Sequence, residues 1–268
     1  MESGMEYWTA KALLDWQVEM GVDEAIGDDP VDRYALQDVK PAPKAAQAPS
    51  TLPSAPPAVA TAAPEINQIS AANNAANAAQ DLAGLRAAMG AFEGCALKAA
   101  ARNLVFSGGT AGAPVMIIAD APDRDDDRAG ELFAGRTGAL LDKMLAAIGL
   151  GRSGDAPIYA APVLPWNPPQ NRDPNADEMA MMLPFLQRHI TLAAPKVLIL
   201  MGNGPCQALL NKSGMTRLHG GWTDVQIGSA SLPAIPMFAP SYLLTKPSAK
   251  RDAWSDLLSL KAHLKDLS

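Results

Sequence analysis

The sequence predicts an α/β protein of three layers, α/β/α, built on a central, mainly parallel four-stranded sheet, with a helical appendage on a disordered tether at its amino terminus. Three observations predict it. Residues 115–118 and 196–201 contain continuous apolar runs of strand length, VMII and VLILM, which suit strands covered on both faces rather than half-wet ones. Each run stops at a polar or glycine-containing turn and is followed by apolar residues at helical spacing. Strand-like and helix-like stretches then alternate to the end of the chain, the pattern of a parallel sheet with helices on both sides.

Taken in order, residues 7–20 place Trp8, Ala12, Leu13, Trp16 and Met20 on one helical face, with Asp15 and Glu19 along its edge. Such a helix either packs back on the domain or binds a protein partner. Residues 41–64 are almost wholly Pro, Ala, Ser and Thr, a composition that cannot bury enough apolar surface to order itself. This divides the chain into a helical segment, 1–40, a Pro/Ala-rich linker, 41–66, and a domain, 67–268. An alanine-rich helix with Leu82, Leu85, Met89 and Phe92 in phase opens the domain.

The strand at 115–118 ends at Asp120. Five aspartates, two arginines and a proline then crowd residues 120–128, a charge density expected to face solvent or a ligand. Gly135-Arg136-Thr137-Gly138 leads into a helix carrying Leu140, Leu141, Met144, Leu145 and Ile148. Residues 158–164 read as the second strand, 166–174 (WNPPQNRDP) as a loop, 177–192 as a helix, 196–201 as the third strand and 202–210 as a helix begun at a glycine-rich turn. Residues 235–238 form a short fourth strand, and 248–267 a last helix capped by Ser248.

No run of 18 apolar residues occurs and the first residues are acidic, so neither a membrane span nor a secretory signal is indicated and a cytoplasmic protein is expected. Two isolated cysteines, Cys95 and Cys206, are then expected to be reduced. The net charge of −6 is uneven: residues 1–66 hold eleven acids against four bases, and the remainder seventeen against eighteen. A near-neutral domain neither supports nor excludes nucleic acid by charge alone.

Four segments carry a more specific signal. In order they are ADAPDRDDDRAGELFAGRTGALL, PPQNRDP, TRLHGGW and APSYLLTKPSAKRDAWSDL. The series resembles the iron–sulfur uracil-DNA glycosylases, often called family four, whose matching motifs are GEAPG…PFVGRAG, PPxNR, RxxGxW and HPAYLL…K…W. The resemblance runs from about Leu85 to Leu267. It implies an enzyme that flips uracil out of DNA and hydrolyses its bond to the sugar. By position, it makes Asp120 the acid that orients the attacking water. Ala121 and Pro122 line the base site, and Phe133 is the aromatic that stacks on the flipped base. It gives DNA contacts to Arg136, Gly138, Arg172, Arg217, Ser241, Tyr242, Leu243 and Leu244, with Leu243 or Leu244 as a wedge into the minor groove.

The departures from the family are as informative. Its four cluster cysteines correspond to Phe92, Cys95, Trp166 and Met182, and one thiolate cannot hold a cluster that needs about four. No cofactor is therefore expected. The family histidine that stabilises the departing base is Ala239, and the asparagine that reads the uracil edge is Pro162. Loss of one such donor typically costs about 10²–10³ in rate. Asn167 and His219 are nearby polar groups that could substitute. Two readings stay open: a cluster-free glycosylase, weak on uracil and acting on a deaminated or damaged base, or a degenerate glycosylase fold that binds DNA or a protein. DNA is the expected partner of both.

Overall fold

A computed structural model describes residues 64–266, with side chains from residue 68. The segment expected at 1–40 and most of the linker lie outside the described residues. Ten helices are described: α1 (Pro64–Ala78), α2 (Leu82–Ala91), α3 (Leu97–Ala100), α4 (Arg124–Ala129), α5 (Gly135–Ile148), α6 (Ala176–Ala193), α7 (Asn203–Leu210), α8 (Met215–Leu218), α9 (Pro240–Thr245) and α10 (Lys250–Asp266). The strands are β1 (Gly108–Gly109), β2 (Val115–Ala119), β3 (Ile158–Pro162), β4 (Val197–Met201), β5 (Thr223–Ile227) and β6 (Ala230–Met237). Helix α1 begins inside the stretch read as linker, with Pro64 at its first position, where its missing N–H costs nothing.

The sheet has six strands, not four, in the order β1-β3-β2-β4-β6-β5. The central four, β3-β2-β4-β6, are parallel, and the two edge strands run antiparallel. The first edge is the glycine pair β1. The other is β5, joined to β6 by a tight turn at Gly228, whose φ of 59° suits a residue without a Cβ. Strand β6 is longer than the expected 235–238 because this hairpin extends it back to Ala230.

Alternation along the buried strands builds the three layers. Met116, Ile118, Tyr159, Ala161, Leu198 and Leu200 point to one face, where they meet Ala72, Ala76, Leu85, Met89, Met182, Phe185 and Ile190 of α1, α2 and α6. Val115, Ile117, Ile158, Ala160, Val197, Ile199 and Ile235 point to the other, against Leu141, Leu145 and Ile148 of α5 and Leu257 and Leu260 of α10. His189 lies in the first layer, hydrogen-bonded at 2.8 Å to the Tyr159 hydroxyl and stacked on Phe106. Burial lowers its pKa to about 3, so it is a neutral core residue.

Two expectations about local chemistry change. The acidic stretch after β2 is not a loop turned outward: it contains α4, with Asp123 as cap in a reciprocal box with Asp126. Asp126 and Asp127 are buried, because backbone amides need them: Asp126 accepts from Ala134 at 2.6 Å, and Asp127 from Arg102 and Asn103 at 2.9 and 3.0 Å. The last helix starts at Lys250 rather than at Ser248, which lies in a short 3₁₀ turn, Pro247–Ala249. Among the described residues no helix is long and apolar enough to cross a membrane.

Candidate active site

Chain topology fixes where a ligand can enter. The connection from β2 leads outward to β3, and the chain then crosses back to β4 on the other side of β2. Ligands of open α/β sheets bind at the carboxyl ends of strands, where the strand order reverses. Ala119 pairs with Met201 across that crevice, and the next residue on each side is Asp120 and Gly202. Asp120 Oδ1 accepts a hydrogen bond from the Gly204 amide, at the start of α7, at 2.8 Å.

Three adjoining cavities of about 420, 350 and 70 Å³ share Asp120 and Ser241 in their walls. The largest is completed by Ala121, Pro122, Arg172, Asp173, Asn203 and Gln207, among others. The second adds Gly202, Asn203, Thr216, Phe238, Ala239 and Tyr242. The smallest adds Ala121, Asp126, Phe133, Thr137 and Ala239. Asp120 is thus the common wall, and burial pushes its carboxyl up to about 6, opposed by the Gly204 N–H and reinforced by the charge of Asp173. A group poised there holds or releases a proton near neutral pH.

Phe133 does meet Asp120 at a cavity, but it is the narrow one, and the ring is buried rather than an exposed face: only 7% of Phe133 is accessible. Its φ of 60° is rare for a residue with a Cβ. Three contacts impose that backbone. Arg152, held by Asp142 through two bonds of 2.7 Å, donates to the Leu132 and Phe133 carbonyls. The Ala134 amide is tied to Asp126. Gly138 allows α5 to approach so closely that a Cβ there would collide with the Phe133 carbonyl. Sequence reasoning missed Asp126, Asp142 and Arg152, two acidic residues and an arginine whose only signal was a charge with no assigned task.

The remaining expected residues separate. Arg136, in the first turn of α5, and Arg217, at the end of α8, are exposed. Arg172 lines the large cavity but is committed to Glu178 through bonds of 2.9 and 2.6 Å, inside the box that starts α6. Ser241 to Leu244 form the helical turn α9 rather than a loop. Leu243 is 1% exposed, so it cannot be a wedge, whereas Leu244 is half-buried. Tyr242 stacks on Phe238 at 5.1 Å, and Phe238 lies 4.7 Å from His219. His219 is engaged by Asp256 of α10 at 3.2 Å and lines none of the three cavities. Asn167 is buried with its Oδ1 unpartnered among the described residues.

Phe92, Cys95, Trp166 and Met182 all belong to the apolar core on the α1/α2/α6 face. Phe92 meets Phe185 edge to face at 5.4 Å. Burial raises the pKa of the Cys95 thiol, against the thiolate a metal requires. These side chains do not fit an iron–sulfur cluster. Both cysteines are free and buried.

Comparison with known proteins identifies the family. Residues 106–258 match the family described as the uracil DNA glycosylase superfamily. The chain is similar to the type-4 uracil-DNA glycosylase of Archaeoglobus fulgidus, 30% identical over 167 residues, which cover 60% of this chain and 82% of that protein. It is 27% identical over 164 residues to that of Sulfurisphaera tokodaii (59% and 74%) and 29% identical over 175 residues to that of Thermotoga maritima (64% and 88%).

Proposed function

Because the chain belongs to the uracil DNA glycosylase superfamily, we propose that it is a cluster-free DNA repair glycosylase that hydrolyses the bond between a flipped base and its sugar, with Asp120 holding the attacking water. The observation that carries this reading is the place of Asp120: at the strand-order reversal, on the wall of all three cavities, with a pKa of about 6. Ionised, its carboxylate accepts a proton from water and faces the positive charge that develops on the sugar. Ala121 and Pro122 form the wall beside it, and Phe133 supplies the apolar floor of the narrow cavity.

Duplex contacts fall to Arg136 and Arg217, which are exposed and in no ion pair among the described residues, and to the N-terminus of α5. Leu244 is the side chain of α9 available as a wedge. Uracil excision is weak, because Ala239 and Pro162 present no side-chain donor to the base. The apolar fill at the four cluster positions supports a protein that needs no metal to fold.

The test is single-turnover excision from uracil-containing oligonucleotides by the wild type, Asp120→Asn and Ala239→His. The expected result is slow excision that Asp120→Asn lowers by about 10²–10⁴ and Ala239→His raises. A wild type that excises nothing yet binds DNA with a steep salt dependence makes the protein a binding module instead.

A further inference from the structure

Hydrolysis of the base–sugar bond leaves the bonding electron pair on the base. The site therefore needs a hydrogen-bond donor facing the base carbonyl where that charge collects. Asp120 is an acceptor and does not serve. Strands β4 and β6 run side by side with Met201 opposite Met237, and the Gly202 amide donates to the Met237 carbonyl at 3.1 Å. Two residues beyond that pair come Asn203, the first residue of α7, and Ala239, the residue before α9. Both line the 350 Å³ cavity with Asp120, and Ala239 offers it only a methyl group. Asn203 also lines the 420 Å³ cavity.

The orientation of the Asn203 amide is fixed by what it accepts. Its Oδ1 receives the Gly214 amide at 3.3 Å and the Met215 amide at 3.1 Å. The oxygen end is therefore committed to the turn before α8, and the Nδ2 end, with two donors, has no partner among the described residues. The hydroxyls of Thr216, Ser241 and Tyr242 share the cavity, but a hydroxyl rotates and has to be oriented during the reaction. A neutral amide whose oxygen is held by two backbone bonds from Gly214 and Met215 of the same cavity wall is already oriented, and it donates at every pH.

We propose that Nδ2 of Asn203 donates to the carbonyl oxygen of the leaving base, making Asn203 a catalytic residue of this glycosylase; the proposal rests on the excision reading above. In the step, water loses a proton to the Asp120 carboxylate and its oxygen bonds to the sugar carbon. The carbon–nitrogen pair departs with the base as an anion that Asn203 hydrogen-bonds, and solvent later protonates it. The products are the free base and a sugar hydroxyl.

The experiment compares single-turnover excision of uracil and of 5-fluorouracil from single-stranded oligonucleotides by the full-length wild type, Asn203→Asp and Asn203→Ala. The pH is set well above the Asp120 value of about 6, so that a second carboxylate does not leave Asp120 protonated. Asn203→Asp keeps an acceptor for Gly214 and Met215 and replaces only the donor, so its melting temperature should match the wild type. Uracil excision should fall about 10²–10³-fold in both variants. The fluorine already stabilises the departing anion, so 5-fluorouracil excision should fall much less and the ratio of the two rates should rise at least tenfold, about 1.4 kcal/mol by transition-state arithmetic. Equal slowing of both bases, or an active wild type whose rate survives Asn203→Asp, overturns the assignment while leaving the glycosylase reading intact. A wild type inactive on both bases overturns the glycosylase reading and this assignment with it.

Discussion

Gly204 is the most exposed test of how Asp120 is held. It sits in the first turn of α7, and a Cβ on it would lie 2.6 Å from Asp120 Oδ1, where ordinary contact begins near 3.4 Å. Gly204→Ala therefore forces the carboxylate back by about 0.8 Å, which breaks the 2.8 Å bond from the Gly204 amide. Losing a hydrogen bond to a charged group costs about 1.5–3 kcal/mol, against a helix-propensity gain of up to about 1 kcal/mol for alanine over glycine. The net cost should be about 0.5–2 kcal/mol where the propensity gain is full. In an Asp120→Ala background the collision vanishes and the same substitution should stabilise by up to about 1 kcal/mol. A double-mutant cycle read by urea unfolding should then give a coupling of about 2 kcal/mol. In the Asp120 background, base excision should fall about 10²-fold, the order expected for a reacting group displaced by about an ångström. If the effects on stability add to within about 0.5 kcal/mol, the contact does not hold Asp120 and the reasoning fails.

Asp120 also makes stability pH-dependent: its folded pKa, about 6, lies above the ordinary 3.8, so its contribution is fully present below about 4 and is lost as pH rises through about 6. Asp120→Asn should therefore be the more stable protein above pH 6, with the gap closing toward pH 4 in thermal melts, and the wild-type excision rate should rise with pH over the same window. The protein purified anaerobically should be colourless and hold no stoichiometric iron or sulfide, since Phe92, Trp166 and Met182 cannot act as thiolate ligands; metal analysis decides it. Gly138→Ala should destabilise by at least about 1–3 kcal/mol in chemical unfolding, because its Cβ meets the Phe133 carbonyl oxygen, and it should slow excision by moving the wall that Phe133 forms.

Much of the sheet was legible because burial on both faces writes a continuous apolar run, as in β2 and β4. Strand β6 was half legible. Its Pro233 and Pro236 argue against a strand from sequence alone, and only pairing with β5 and β4 shows how the backbone accommodates them. Two glycines could not announce β1. The acidic stretch misled for a different reason: carboxylates signal solvent by composition, but here the amides that start α4 and α5 draw Asp126 inward, and the Arg102 and Asn103 amides just after α3 draw Asp127. In the site, Asp120, Phe133, Arg172 and Ser241 came from motif order, not from any property of the residues themselves. Asn203 had no comparable signal. A lone asparagine between two glycines reads as turn chemistry, and its orientation depends on amides at Gly214 and Met215 that only folding brings to it.

The positions that correspond to the cluster cysteines of the resembling family and the large cavity beside Asp120 are joined by one piece of chain. Trp166, at a position that would carry a cysteine in the resembling family, is buried in the core, and the residues after it, Pro168 to Pro174, supply much of the wall of the large cavity. The far side of that wall is α6, whose Met179 reaches the cavity while Met182, one turn on, lies in the core with Phe92 and Cys95. Arg172 and Glu178 clamp the two together, and Asn175 closes the box. A metal cluster at these positions would hold the wall by four ligand bonds. Here Phe92, Phe185, Trp166 and Met182 belong to one apolar core, with Phe92 edge to face on Phe185, and one bidentate ion pair ties the wall to α6. Packing of this kind is stiff, because interiors filled to crystal-like density transmit displacement. The wall of the cavity beside Asp120 is therefore held without a metal ligand among these four side chains. The difference on which the proposed chemistry turns lies instead at the strand ends, where Ala239 and Asn203 line the same cavity as Asp120.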